Sequence, residues 1–114
     1  KMNFMQLQNA NGKYVNPDDT TFAAAAASAD WFSVPGMGIS MVNAKGDNAW
    51  PVSTASFILM YKNPADKAQS AEVLKFFDWA FKNGKGMAAE LDYVPLPDSL
   101  TAQIRSKVWT EIAK

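Results

Sequence analysis

The side chains that most often carry chemistry are missing from this chain. Its 114 residues include no His and no Cys. That removes the commonest general base, the commonest metal ligand and the thiolate nucleophile. Zinc hydrolases, haem proteins and Ser-His-Asp triads are excluded with them. What remains is a set of weaker candidates. Asp18 and Asp19 are paired carboxylates with cation-binding chemistry, but neighbours on a helix point in different directions. Ser53, Thr54 and Ser56 offer hydroxyls to an oxyanion. Asp92 and Tyr93 supply an acid and a base, with nothing beside them to activate a nucleophile. Gly36-Met37-Gly38 lacks the spacing of a dinucleotide loop, and no Lys-Ser/Thr follows it as in a phosphate-cradling loop. The single arginine is Arg105. The aromatic run Phe76, Phe77, Trp79 and Phe81 has the faces to stack bases, but its spacing matches a buried helical stripe. Asn9 and Asn11 read as turn formers.

The elements that must hold these residues are legible in outline. Residues 3–7 alternate as a short strand, and Tyr14-Val15 forms a second. The Asn11-Gly12 turn signal between them makes a hairpin. Asn16 is placed to cap a helix with Pro17 at its first position, Asp18 and Asp19 at its positive end, and a five-alanine run behind. Residues 30–49 read as a long irregular connection whose apolar side chains pack onto something, inside the chain or outside it. Phe57 to Tyr61 is a continuous apolar run, expected as a strand over 55–61 buried on both faces. Asp66 to Asn83 is the clearest helix, with Gly84 expected as its C′ glycine. A helical stretch follows over 86–91. The prolines at 95 and 97 stop it, and Pro97-Asp98 opens a last helix striped by Leu100, Ile104, Val108 and Ile112.

Composition narrows the class further. The chain has 11 basic and 11 acidic residues, so its formal net charge is zero. A dedicated nucleic-acid binder carries a basic excess, and a disordered acidic tail does not have 48% apolar residues. By length this is one domain, able to bury roughly two-thirds of its unfolded surface. No run reaches the ~18 apolar residues of a membrane span. The first residues carry no signal-peptide pattern, and both ends are expected to be cuts.

Three blocks resemble one family. Lys45-Gly46-Asp47-Asn48-Ala49-Trp50-Pro51-Val52-Ser53 with Phe57-Ile58-Leu59, then Glu72-Val73-Leu74-Lys75-Phe76-Phe77-Asp78-Trp79-Ala80, then Leu91-Asp92-Tyr93-Val94-Pro95-Leu96-Pro97, are similar to successive segments of the periplasmic phosphate-binding proteins of bacterial phosphate ABC transporters. The Asn11-Gly12-Lys13 turn, the Pro17-led helix and Ala29-Asp30-Trp31 come in the family's order upstream. The resemblance covers nearly all of the chain but only the last third or so of a member. It implies an α/β fold: a fragment of a two-lobed, type II-like periplasmic binding protein, with few strands flanked by helices. Residues 1–52 would be the C-terminal part of the second lobe. Residues 53–114 would return to the first, with the crossing near Trp50 to Ser56.

The family holds phosphate through a Thr-Phe loop, Ser and Asp positions, and an Arg followed by Ser-Gly-Thr. None of these carries over. Thr21-Phe22 lies inside the expected first helix, there is no Ser-Gly-Thr, and Arg105 sits in the terminal helix. The expected site list is therefore empty: no catalytic residue, no phosphate ligand, no metal ligand and no cofactor. The expected function is part of a receptor that delivers inorganic phosphate to an ABC permease, not an enzyme. The expected location is the periplasm, with a signal peptide lying upstream. A self-associating fragment with exposed core is the alternative, and a phosphate-ester hydrolase using Asp92 and Tyr93 a weaker one.

Overall fold

The structure, a computed structural model, describes residues 3–112. The chain forms two compact units, Lys1–Ser56 and Phe57–Lys114.

The first unit starts with an antiparallel hairpin. Strand β1, Leu7–Gln8, pairs with strand β2, Tyr14–Val15, in the register Leu7 to Val15 and Gln8 to Tyr14. The strand expected over 3–7 is thus reduced to its last residue and shifted toward the turn. Phe4 and Met5 are exposed and lie outside the ladder. Helix α1, Asp19–Ser28, follows, and its N-cap is Asp18 rather than Asn16. The carboxylate of Asp18 accepts from the Thr20 and Thr21 amides, and the Thr21 hydroxyl answers the Asp18 amide. A carboxylate with this reciprocal pairing caps better than an upstream Asn, so the helix begins two residues later than the Pro17 signal suggested.

Thr21, Ala25 and Ala26 form the buried face of α1. Small side chains there let the irregular segment approach closely. The Trp31 indole donates to the Ala26 carbonyl at 2.7 Å, and the Trp50 amide donates to the Thr21 carbonyl at 3.0 Å. The Phe22 and Trp50 rings meet edge to face, 6.1 Å apart. Trp31, Met41 and Ala49 are buried with Val15, Ala25 and Ala26. The irregular connection over 30–49 therefore supplies much of this unit's own core. At Gly46 a Cβ would lie 2.9 Å from the Ser28 hydroxyl and 3.1 Å from the Ser28 Cβ, so a larger residue there must push the end of α1 aside.

The second unit is helical. Helix α2, Lys67–Asn83, is capped by Asp66, whose carboxylate accepts from the Gln69 amide at 2.9 Å. Helix α3, Lys85–Glu90, follows through Gly84, and helix α4, Asp98–Gln103, starts after Pro97. A π-helical turn over Ile104–Val108 and a 3₁₀ turn over Trp109–Glu111 extend α4. Leu74, Leu100 and Ile112 are the buried aliphatic residues.

Three expectations are corrected in this unit. Residues 57–61 form no strand, and Leu59 is 93% and Tyr61 83% exposed. A strand buried on both faces needs neighbouring strands, and among the described residues this unit has none. Phe76 and Trp79 are about half exposed rather than core, because α2 buries the opposite side, through Ser70 and Leu74. Gly84 is right-handed (φ −84°) and not a left-handed cap. Glycine is needed there for another reason: a Cβ would lie 2.6 Å from the Ala80 carbonyl oxygen.

Candidate functional site

Built from its residues upward, the structure turns most of the chemical candidates into structural fixtures. Asn9 is the clearest. It is buried, and its amide nitrogen donates to the carbonyls of Gly46, Asp47 and Ala49 at 3.2, 2.7 and 3.3 Å. Its side-chain oxygen accepts from the Asn11 and Lys13 amides at 3.1 and 3.0 Å. One side chain thus shapes the hairpin connection and clasps the 46–49 loop to it. Asn11 adds a bond from its amide to the Asp47 carboxylate at 2.8 Å. Sequence reasoning missed this clasp, since its partners lie 37 to 40 residues away and nothing local announces them.

Asp18 is committed to capping. The Thr20 hydroxyl and the Thr21 amide beside it hold its carboxyl below the ordinary carboxylate range. Asp19 is the first helical residue. The Ser53 hydroxyl donates to the Trp50 carbonyl at 3.2 Å, which spends it within its own turn. Thr54 and Ser56 are exposed.

Asp92 closes α3. Its φ is 60°, its amide donates to Ala89 and the Tyr93 amide donates to Ala88. This double bond pattern is a Schellman cap with Asp where glycine is usual. The pair imagined as acid and base is therefore a helix terminus with exposed side chains.

Arg105 has the richest surroundings. Its Nε donates to the Asp78 carboxylate at 2.7 Å, and Lys82 pairs with the other Asp78 oxygen. Phe81 and Trp109 stack 5.7 Å apart with an interplanar angle of 7°. The guanidinium lies 5.9 Å from the Phe81 ring centre and 6.0 Å from that of Trp109. One terminal nitrogen, Nη2, is buried without a hydrogen bond. Lys82 and Arg105 together pull the Asp78 carboxyl below its ordinary range. The α4 stretch is locked to α2 by this cluster. The wide π turn, in which the Trp109 amide donates to Ile104, carries the indole there.

A shallow cavity of about 250 Å³ is lined by Ala80, Phe81, Gly84, Lys85, Ala88, Pro95, Leu96 and Thr101, and the Lys85 ammonium is paired with Asp98. It is almost wholly apolar, without converging donors. No cluster of three metal-ligating side chains occurs among the described residues, and none of their helices is long and apolar enough to cross a membrane.

Comparison with known proteins supplies what the geometry alone does not. A protein of Pasteurella multocida is 48% identical over 106 residues, covering 93% of this chain and 31% of that protein. One from Xylella fastidiosa is 46% identical over 106 residues, 93% of this chain and 29% of its own length. One from Haemophilus influenzae is 42% identical over 109 residues, 96% of this chain and 33% of its own. No family model matches the chain. All three relatives bear the name of a binding protein. Each is called phosphate-binding protein PstS, and the chain is homologous to that protein and corresponds to a piece of it. The chain spans only about a third of these relatives' length, 29 to 33%.

Proposed function

We propose that the chain is part of a periplasmic phosphate receptor that passes inorganic phosphate to an ABC permease. The observation that carries this reading is sequence identity to phosphate-binding proteins running through nearly the whole chain. Residues 1–52 are taken as belonging to one lobe of the receptor and residues 53–114 to the other. The division of the structure into two compact units supports that assignment.

The phosphate ligands lie outside this piece. A dehydrated phosphate needs converging donors, usually free helix N-termini and an arginine. Here Asp18 caps α1, Asp66 caps α2 and Asp98 opens α4, so each of these N-termini already carries a carboxylate. Arg105 is ion-paired with Asp78 and packed beside Phe81 and Trp109. A phosphate would meet repulsion at these three helix starts, and the one guanidinium is already ion-paired.

Isothermal calorimetry with inorganic phosphate tests both halves of the reading. The longer protein that contains this sequence is expected to bind tightly, and the 114-residue chain to give no binding heat. Failure of the longer protein to bind overturns the receptor assignment. Submillimolar binding by the chain alone overturns the placement of the ligands.

A second reading rests on exposure. Leu59, Tyr61, Phe76 and Trp79 leave apolar surface in water. We propose that isolated copies of the chain associate through this surface.

A further inference from the structure

Two asparagines in the chain precede glycine: Asn11-Gly12 and Asn83-Gly84. That dipeptide carries latent chemistry. The glycine amide nitrogen, unshielded by any neighbouring side chain, attacks the asparagine Cγ. A bond from nitrogen to Cγ forms, the bond from Cγ to Nδ2 breaks, and ammonia departs with the amide proton. Water then opens the five-membered succinimide at either carbonyl. The product is aspartate, or an isoaspartyl residue whose main chain runs through the former side-chain carbonyl.

The fold separates the two sites. Asn83 ends α2, and its amide donates to the Trp79 carbonyl at 3.0 Å, so the side chain lies back along the helix. The Gly84 amide donates to the Ala80 carbonyl at 2.8 Å in right-handed backbone. Ring closure at 83 requires both bonds to break and the junction of α2 and α3 to open. Asn11 is exposed and sits in the non-helical hairpin connection. Gly12 there has φ +74°, and its amide makes one turn bond, to the Asn9 carbonyl at 3.0 Å. Closure at 11 also breaks two bonds, this one and the bond from the Asn11 amide to the Asp47 carboxylate, but both belong to an exposed turn, so a local opening frees them without opening a helix junction.

The consequence follows from what Asn11 touches. Its amide nitrogen, the group that leaves, donates to the Asp47 carboxylate. Conversion replaces that donor with a second carboxylate at hydrogen-bond range of the first, an arrangement that repels. We propose that Asn11 is a site of spontaneous deamidation, and that its conversion is a one-way change that frees the Asp47 carboxylate from the hairpin connection and leaves the 46–49 loop held there by Asn9 alone.

Peptide mapping by mass spectrometry after incubation of the 114-residue chain at mildly alkaline pH tests the first part. In the folded chain, residue 11 is expected to convert about tenfold faster than residue 83, because only the latter needs a helix end to open. In denaturing urea the two rates should converge. Equal or faster conversion at residue 83 in the folded chain overturns the proposal, as does a ratio that survives unfolding. Hydrogen exchange tests the second part, with an Asn11→Asp variant standing for the converted form. Faster exchange at the amides of residues 46–49 than in the parent is expected. Unchanged exchange there refutes the release.

Discussion

At the residue scale, the lesson is that polar side chains suited to chemistry are used here to hold irregular backbone. A connection of some twenty residues cannot satisfy its carbonyls by ladder or helix, so a buried side chain must do so. Asn9 does this for three carbonyls at once, with acceptor capacity left for two amides. Asn9→Ala should therefore lower the stability of the chain by about 2–4 kcal/mol, since three carbonyls and two amides lose a side-chain partner at a buried position. Chemical denaturation followed by tryptophan fluorescence measures it. A loss under about 0.5 kcal/mol, the level of an unremarkable surface change, would show that water takes over the role. Asn9 was legible in the sequence only as a turn former, which it also is. Its second role depends on Gly46, Asp47 and Ala49 arriving from a distant segment, and spacing does not encode that meeting. The helix end before Asp92 was legible from the prolines that follow; that Asp92 itself makes the stop, through left-handed backbone, was not.

At the element scale, helices were read more faithfully than strands. Helix α2 follows from its own apolar period and comes out as Lys67–Asn83 against an expected 66–83. Its amphipathic stripe was overread, because Phe76 and Trp79 are apolar yet lie on the side away from Ser70 and Leu74. Residues 55–61 have strand composition but no strand to pair with, and composition cannot supply a neighbour. The junction of α2 with the α4 stretch depends on charge. Lys82 and Arg105 depress the Asp78 carboxyl, so the folded state holds its proton less tightly than the unfolded chain does. The stability from this cluster is complete above the ordinary carboxylate range and drains away as pH falls through the lowered value. In an acid series, Asp78→Asn should be less stable than the parent at neutral pH, with the difference closing toward the acid end. A gap that stays constant across the series would mean that charge is not what joins these elements. Asp78 and Arg105 are each 30% exposed, so added salt should narrow the neutral-pH gap as well.

At the scale of the whole molecule, zero net charge and exposed apolar residues act in the same direction. Copies of a neutral chain feel no long-range repulsion. Each presents Ile58, Leu59 and Tyr61 on backbone outside any helix or strand beside Lys62, the latter engaged by Glu111. Apolar, uncharged backbone outside any ladder is the usual template for pairing between chains. Absent Cys, meanwhile, leaves no disulfide to staple either unit. Light scattering of the 114-residue chain at micromolar concentration should therefore report species larger than a monomer. Leu59→Lys places a charge at the most exposed apolar position and should weaken that association about tenfold or more, while costing the fold little because nothing packs over it. A clean monomer for the parent chain ends the proposal of self-association. If the parent associates and Leu59→Lys does so equally well, the contact lies elsewhere, and Phe76→Lys on the outward side of α2 becomes the variant that must break it.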